Sequence, residues 1–474
     1  MAEEAPGTHR ALTDTAAEPA TGPDPTAPPT PREVLPPAET GFGIASGSGI
    51  LPAGRRPPAD PRRPIRHVET VMKSTTTMYP RARIPYGTWG SSPFPAWQSS
   101  PLAEVNIGQF AGEAMGRILG LRKVPKHQLE YLVIGSTVPW HWKFWTAPLV
   151  ASCMGQRIPG YHVEQACATG LQAVLLGGAE VESGSKDVVG VLTFDRTSDS
   201  PVGVFPERRA HQRTQAIADV WDNFGFDPAT GRAMITAAGI TARKYKIDRR
   251  EVDEIAALRY EQYFEAKDSG FLDRVLVSLD LLNVGGRPMG RIDADTGVRR
   301  VSLGALRAQR ELDTCVTSGT QTHASDGMAT LLVTSPEKAR ELSPRPEIDI
   351  RFVAKTEARA EPSLMPEAPA LAVKSLLDRV GITVHDVKVA KNHNPFAVND
   401  AVFQRVTGWD WKELNRTGCS LVWGHPQGPT LTRVLIEALE EAVDLGGGLV
   451  LVFGCAAGDV GIAALFEVSE GGRR

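Results

Sequence analysis

Two blocks of this chain, set far apart, run through the same order of elements. In the first block, EVNIGQFAGEAMGRILGLRKV repeats apolar residues at helical spacing, and the short apolar run YLVIGST follows it. CATGLQAVLLGGAEVESG is then a second helix and DVVGVLTF its strand. The second block repeats the pattern with the helix ALAVKSLLDRVG and the strand DVKVAKNH, then the helix PTLTRVLIEALEEAV and the strand GGLVLVFGC. YLVIGST, DVVGVLTF and GGLVLVFGC read as strands of the buried type, each following a helix. The spacing therefore predicts an α/β protein of two similar halves, 67–195 and 348–467. Residues 197–300 differ: they are rich in charge, and MITAAGITARKYKIDRREVDEIAALRYEQYFEAKDSG reads as one or two amphipathic helices. We take this stretch as an excursion inserted after the first half, placed where insertions commonly shape a substrate site.

The N-terminus follows another logic. Of the 36 prolines, 14 fall within residues 1–64, and no apolar period runs through that segment. Such a composition cannot bury enough surface to offset chain entropy, so residues 1–65 are expected to be a disordered tail. The start lacks the basic end and apolar run of a signal peptide, and Glu3, Glu4, Asp14 and Glu18 are unlike a transit peptide. No apolar run is long enough to span a bilayer. Lys plus Arg number 52 against 55 Asp plus Glu, a balance that lacks the basic surplus expected of a nucleic-acid binder. Five cysteines spread through 474 residues form no disulfide framework, which suggests a reducing cytoplasm.

Free cysteines need a reason, and two of them have one. Cys167 in EQACATGLQAV stands among small residues where a helix starts, a setting that stabilises a thiolate through the helix dipole and unpaired N–H groups. Cys455 ends the strand GGLVLVFGC and opens the small-residue turn CAAGDVG. His425, in VWGHPQGPT, is fixed between glycine and proline just ahead of a helix, as a rigidly held general base would be. His393, in KNHNPFAVND, follows a strand, and α/β folds bind ligands at the carboxyl ends of strands. Two thiols and two imidazoles at strand ends and helix starts suit nucleophilic catalysis. Zinc is the rival use of the same side chains. Metal ligands usually come in close pairs, whereas these four stand alone in the sequence, so no metal is expected.

Taken in order, these segments resemble the thiolase family over roughly residues 80–468. HVEQACATGLQAV is similar to the nucleophile segment and MITAAGITARKYKIDRREVDEIA to a loop-domain helix. VTSGTQTHASDGMATLLV resembles the segment lining the pantetheine arm. NHNPFAVND resembles the N/H-E-A-F-A motif, WGHPQGPT the G-H-P-x-G motif and FGCAAGDVG the C-x-G-G-G-x-G motif. The resemblance implies a five-layered αβαβα fold, with an N-terminal domain over 66–345, a loop domain at about 197–300 inside it, and a C-terminal domain over 346–470.

It also implies chemistry. Cys167 would attack a thioester and carry the acyl group, His425 would take its proton, and Cys455 would exchange a proton with the α-carbon of the second acyl-CoA. His393 would serve one oxyanion hole, and the backbone N–H groups of Cys167 and Ala457 the other. Met234, Ser318 and Thr322 would contact coenzyme A. The substrates would be acyl-CoA thioesters, as in fatty-acid β-oxidation, with no permanently bound cofactor, and the chain would be a homodimer or homotetramer. Departures from the family pattern at Asn394, Pro395, Ala233 and Gly239-Ile240 bear on recognition of CoA and the acyl chain.

Two alternatives follow from the same residues. A decarboxylating ketoacyl-synthase-like enzyme shares the Cys nucleophile but needs no second cysteine, because loss of carbon dioxide supplies the carbanion. A thiolase-fold subunit without catalysis would tolerate the departures near Asn394 and Gly239. Three further features carry expectations of their own. Cys419, six residues before His425, is placed near the same site, while Cys153 and Cys315 read as packing residues. The aromatic run VPWHWKFWT, with Trp140, Trp142, Phe144 and Trp145, reads as interface packing, the alternative being a pocket for a bulky acyl group.

Overall fold

A computed structural model describes residues 78–198, 201–209, 212–282 and 287–470. The proline-rich segment expected at 1–65 lies outside these residues. Each element of the two repeated blocks forms where the apolar spacing places it. The first half comprises strand β1 (Tyr79–Arg83), β2 (Gly90–Ser91), helix α1 (Ile107–Leu121), β3 (Tyr131–Gly135), α2 (Thr146–Cys153), β4 (Gly160–Val163), α3 (Thr169–Glu182) and β5 (Val188–Asp195), of which the sequence predicts α1, β3, α3 and β5. Helix α1 starts at Asn106, whose side chain accepts from the N–H of Gln109 at 3.0 Å.

The chain then leaves the sheet. It forms the hairpins β6 (Gly203–Arg209) with β7 (Gln212–Ala218) and β8 (Leu279–Leu282) with β9 (Pro288–Ile292), and between them α4 (Met234–Tyr245) and α5 (Arg249–Asp268). The charged stretch makes two helices because Lys246 adopts a left-handed backbone, φ 53°, and Asp248 then caps α5 by accepting from Glu251 N. The chain returns as β10 (Gly327–Thr334) and continues through β11 (Ile348–Arg359), α6 (Ala368–Val380), β12 (Val387–His393), α7 (Val398–Thr407), α8 (Thr430–Asp444), β13 (Gly448–Ala456) and β14 (Val460–Glu470). Helix α6 stops at Gly381, φ +77°, a conformation that costs glycine nothing.

The strands form one path, β12-β13-β14-β11-β1-β10-β5-β3-β4, with β2 on β10. The two halves mirror each other along it. β3 runs parallel to β5 and β5 antiparallel to β10, as β12 runs parallel to β13 and β13 antiparallel to β14. β1 and β11 join the halves, antiparallel to each other.

Both faces of these strands are buried, as their apolar runs predict. Val189 and Val191 of β5 and Val450 and Val452 of β13 pack inward with Leu171, Val174, Leu435 and Leu439 of α3 and α8. Val188, Leu192 and Phe194 face the other way, onto α1 and α2. Leu449, Leu451 and Phe453 do the same onto α6. The order helix, sheet, helix, sheet, helix makes five layers, with α3 and α8 in the middle one. Their contact is close: a Cβ on Gly170 of α3 would fall 2.7 Å from the Gly428 carbonyl oxygen and 2.7 Å from Thr432 N. The catalytic candidates gather where these two central helices begin.

Candidate active site

Cys167 lies in the turn before α3, two residues ahead of the first helical residue, and follows Ala166, whose backbone is left-handed at φ 44°. Its backbone N–H and that of Ala457 both point at its sulfur. The sequence predicts a stabilised thiolate here. The structure corrects this: burial outweighs the N–H donors and pushes the thiol up to about 12. At rest Cys167 is therefore a neutral thiol.

Its partner is neutral too. His425 Nε2 is 3.1 Å from Cys167 Sγ, while Nδ1 is 2.7 Å from Thr430 Oγ1 at the first residue of α8. With Nδ1–H donating to Thr430, Nε2 turns its lone pair to the thiol. Burial takes the imidazole down to about 3. The loop that carries His425 is held from behind by Asp195 at the end of β5. That carboxylate accepts from Gly428 N at 2.7 Å, from Val138 N at 2.9 Å, and from both the N–H and the hydroxyl of Thr137. Gly424, at φ +101°, passes so close to Ser325 that a Cβ would fall 2.0 Å from its hydroxyl. Only glycine fits that position.

His393, at the end of β12, stacks on His425 with ring centroids 4.1 Å apart. Its Nδ1 is 2.8 Å from Ser420 Oγ, and its Nε2 is buried without a partner. Ser420 has one proton and two acceptors to choose from, His393 Nδ1 at 2.8 Å and Asn394 Oδ1 at 3.4 Å. With Ser420 donating along the shorter contact, the His393 proton sits on Nε2. Burial and the neighbouring His425 hold this ring well below the ordinary imidazole range. Behind it, Asp400 accepts from Asn392, Asn394 and the fully buried Arg259.

Cys455 ends β13 fully buried. Its sulfur accepts from Asn399 Nδ2 at 3.5 Å, and burial raises its pKa.

Two cavities meet at Cys167. One, of about 390 Å³, holds His425, Cys455, Thr322 and Met234 under Trp221 and Phe224. The other, of about 370 Å³, is lined by Thr137, Gln427, Ala457, Ser363 and Phe226. The fold thus brings together Cys167, His393, His425, Cys455, Ala457, Met234 and Thr322. It does not bring Ser318, which sits on the outer side of the turn closed by Thr317 and Thr320 and bonds to Gln309 at 3.0 Å. Cys419 packs behind Asn394 and lines neither cavity. None of Trp140, Trp142, Phe144 and Trp145 lines them either, which removes the bulky-acyl pocket from the aromatic run. Trp140 is buried against Phe194, while the other three are 50%, 89% and 59% exposed.

Asp195, Ser420, Thr430 and Asn399 escape the sequence reading. Asn399 lies inside NHNPFAVND and Thr430 inside WGHPQGPT; the groups they bond, Cys455 and His425, stand 56 and 5 residues away, and neither position carries a pattern of its own. Among the described residues, one sulfur and two ring nitrogens, from Cys167, His393 and His425, lie within 4.8 Å of one another and could hold a metal ion. Among the described residues no helix is long and apolar enough to cross a membrane.

The chain matches the family model for the thiolase N-terminal domain over residues 92–337 and that for the C-terminal domain over 347–468. It is 28% identical over 322 residues to the acetyl-CoA acetyltransferase of Allochromatium vinosum, covering 65% of this chain and 79% of that one. It is also 28% identical over 313 residues to acetyl-CoA acetyltransferase 1 of Arabidopsis thaliana, covering 62% and 72%. Among solved structures, human mitochondrial 3-ketoacyl-CoA thiolase in complex with CoA superposes at a TM-score of 0.74 and 20% identity, over 84% of this chain and 100% of the other. The Bacillus anthracis acetyl-CoA acetyltransferase superposes at 0.73 and 23% identity, over 83% and 99%. With family models matching most of its length and its five layers shared with solved thiolases, the chain belongs to the thiolase family of acyltransferases.

Proposed function

We propose that this protein interconverts a 3-ketoacyl-CoA plus CoA with an acyl-CoA plus acetyl-CoA through an acyl group carried on Cys167. The observation that carries the reading is the 3.1 Å contact between Cys167 Sγ and His425 Nε2 at the meeting point of two cavities. In the thiolytic direction the Cys167 sulfur bonds to the keto carbon as its proton passes to His425 Nε2. The oxyanion faces the N–H groups of Cys167 and Ala457, main-chain donors that the alanine side chain leaves intact. The bond to the α-carbon then breaks, and its electron pair becomes the enolate of acetyl-CoA, which His393 Nε2–H stabilises and Cys455 protonates. A proton then passes from the His425 imidazolium to the Cys455 thiolate. The CoA thiol attacks the acyl-cysteine, giving its proton to His425, which returns it to the leaving Cys167 sulfur as acyl-CoA is released. Because both thiol and imidazole are neutral at rest, proton transfer accompanies attack instead of preceding it.

The same reading extends to organisation. It divides the chain into a tail, an N-terminal domain to about 345 and a C-terminal domain beyond it, and the crossing from β10 to β11 supports that division. It makes the protein a homodimer or homotetramer, supported by the exposed aromatic face of Trp142, Phe144 and Trp145.

Digestion and mass analysis after mixing with a 3-ketoacyl-CoA test the reading. An acyl adduct on Cys167 alone, with acetyl-CoA released, is the expected result; no adduct and no thiolysis would overturn it. One observation favours a second reading, in which the cluster of Cys167, His393 and His425 holds zinc. Stoichiometric zinc in the active purified protein would replace the proton-transfer scheme.

A further inference from the structure

The two cavities differ in what they offer. The first contains Cys455, the base that must reach the α-carbon of acetyl-CoA, so the pantetheine arm of that substrate has to occupy it. The acyl chain carried on Cys167 is left the second cavity. There the side chain of Gln427 stands at the variable position of the G-H-P-x-G motif, 5% exposed and held at φ +77° by the turn. Its Oε1 lies 3.1 Å from Thr137 Oγ1, and its Nε2 is buried with no partner.

Thr137 can satisfy only one end of this amide. Its single hydroxyl proton is committed to Asp195 Oδ2 at 2.8 Å. With the amide turned over, Nε2 donates to Thr137 and Oε1 is the orphan. Gln427 lines the acyl cavity, and in either orientation one polar atom of its buried side chain is left unpaired, a state that a ligand or an ordered water resolves.

We propose that Gln427 selects an acyl chain bearing a hydroxyl group, which deepens the thiolase reading above and rests on it. A hydroxyl both donates and accepts, so it completes the amide in either orientation. A carboxylate-ended chain fits less well, because Glu164, Asp227 and Asp459 line the same cavity against Arg232, the one cation among the described residues lining it. A plain alkyl chain would leave the amide dry and unpaired, the kind of penalty that lets a site built for hydrogen bonding reject an analogue lacking the group.

The test compares thiolysis of 3-ketoacyl-CoA substrates of equal length whose chains end in methyl, hydroxyl or carboxylate, with acetoacetyl-CoA as a reference. The wild type is expected to favour hydroxyl over methyl by about tenfold or more in kcat/KM. Gln427→Met, close in volume, should bring that ratio to within about threefold of unity, chiefly by raising KM for the hydroxyl substrate. A wild-type ratio near one, a preference for methyl or carboxylate, or an unchanged ratio in Gln427→Met would overturn the proposal while leaving thiolysis itself intact. The wild-type ratio stands on its own should the variant fold poorly. Failure of every substrate, acetoacetyl-CoA included, sinks the thiolase reading and this inference with it.

Discussion

The two halves of the molecule share one lattice and use it for opposite purposes. β5 ends at Asp195, which faces Gly327 across the antiparallel pair with β10. At the matching point of the second half, Cys455 of β13 faces Gly461 of β14. Both glycines are forced by close approach: a Cβ would fall 2.3 Å from Phe94 in one case and 2.2 Å from the Ala368 backbone in the other. What differs is how the chain goes on. After β13 it turns back at once through 457–459, leaving Cys455 at the edge of the first cavity and the Ala457 N–H aimed at Cys167. After β5 it departs for residues 196–326, and the carboxylate, covered over, binds the loops that hold the nucleophile's base. On the proposed mechanism one half anchors and supplies the nucleophile, and the other supplies the proton chemistry. A short turn exposes a strand end to substrate, and a long excursion buries it.

That division is broken most sharply at Cys455. Cys455→Ala should lower net thiolysis and condensation by about 10²- to 10⁴-fold, the range of a general acid-base group. Acyl exchange between acyl-CoA and CoA needs only Cys167 and His425, so it should stay within about tenfold of the wild type. Isotope exchange separates the two rates. Equal loss of both would mean that Cys455 is part of the nucleophile's support and that the comparison is wrong. Retained condensation of malonyl thioesters at full rate would favour the decarboxylating alternative.

The opposite member of the pair should behave as an anchor. Burial raises the Asp195 pKa to about 7 against the pull of its N–H and hydroxyl donors. A carboxyl group with a raised folded-state pKa contributes stability that is full below its unfolded value near 4 and is lost as pH rises through about 7. Wild-type Tm should therefore fall between about pH 4 and 7 more steeply than that of Asp195→Asn, which has nothing to ionise. The variant also leaves donors facing an amide N–H₂, at about 1–3 kcal/mol, so its activity should drop about tenfold at neutral pH. A parallel pair of Tm curves would show that Asp195 does not titrate in this range.

Much of the lattice was legible before the structure, because its information is local. Apolar runs of four to eight residues and helical spacings predict β5, β13, α3 and α8, and motifs at strand ends single out Cys167, His393, His425 and Cys455. What could not be read is the set of residues that act on those groups across the fold. Asp195 reaches Gly428 over 233 positions of sequence, and no spacing encodes it. The Cys167 thiolate was misjudged for a related reason: the helix start is visible in the sequence, but the depth of burial that outweighs it is a property of all five layers. Ser318 was misplaced because a motif locates a turn without saying which side of it faces the cavity.

Ser420 gives the subtlest test, since it touches only the far side of His393. By donating to Nδ1 at 2.8 Å it keeps the ring proton on Nε2, where an enolate oxygen would meet it. Ser420→Ala removes the hydroxyl and lets the ring adopt the other tautomer, whose Nε2 lone pair repels that oxygen. One neutral hydrogen bond is worth about 0.5–1.5 kcal/mol, so kcat should fall by about three- to tenfold with KM little changed. Ser420→Thr retains the hydroxyl and should restore most of the loss, which a packing defect at this fully buried position would not allow. Because the proposed mechanism gives the α-carbon proton to the second half, the effect belongs to condensation and thiolysis; acyl exchange on Cys167 should not respond. A matching loss in exchange would mean that His393 serves the nucleophile as well, and the boundary between the two halves would have to be redrawn there.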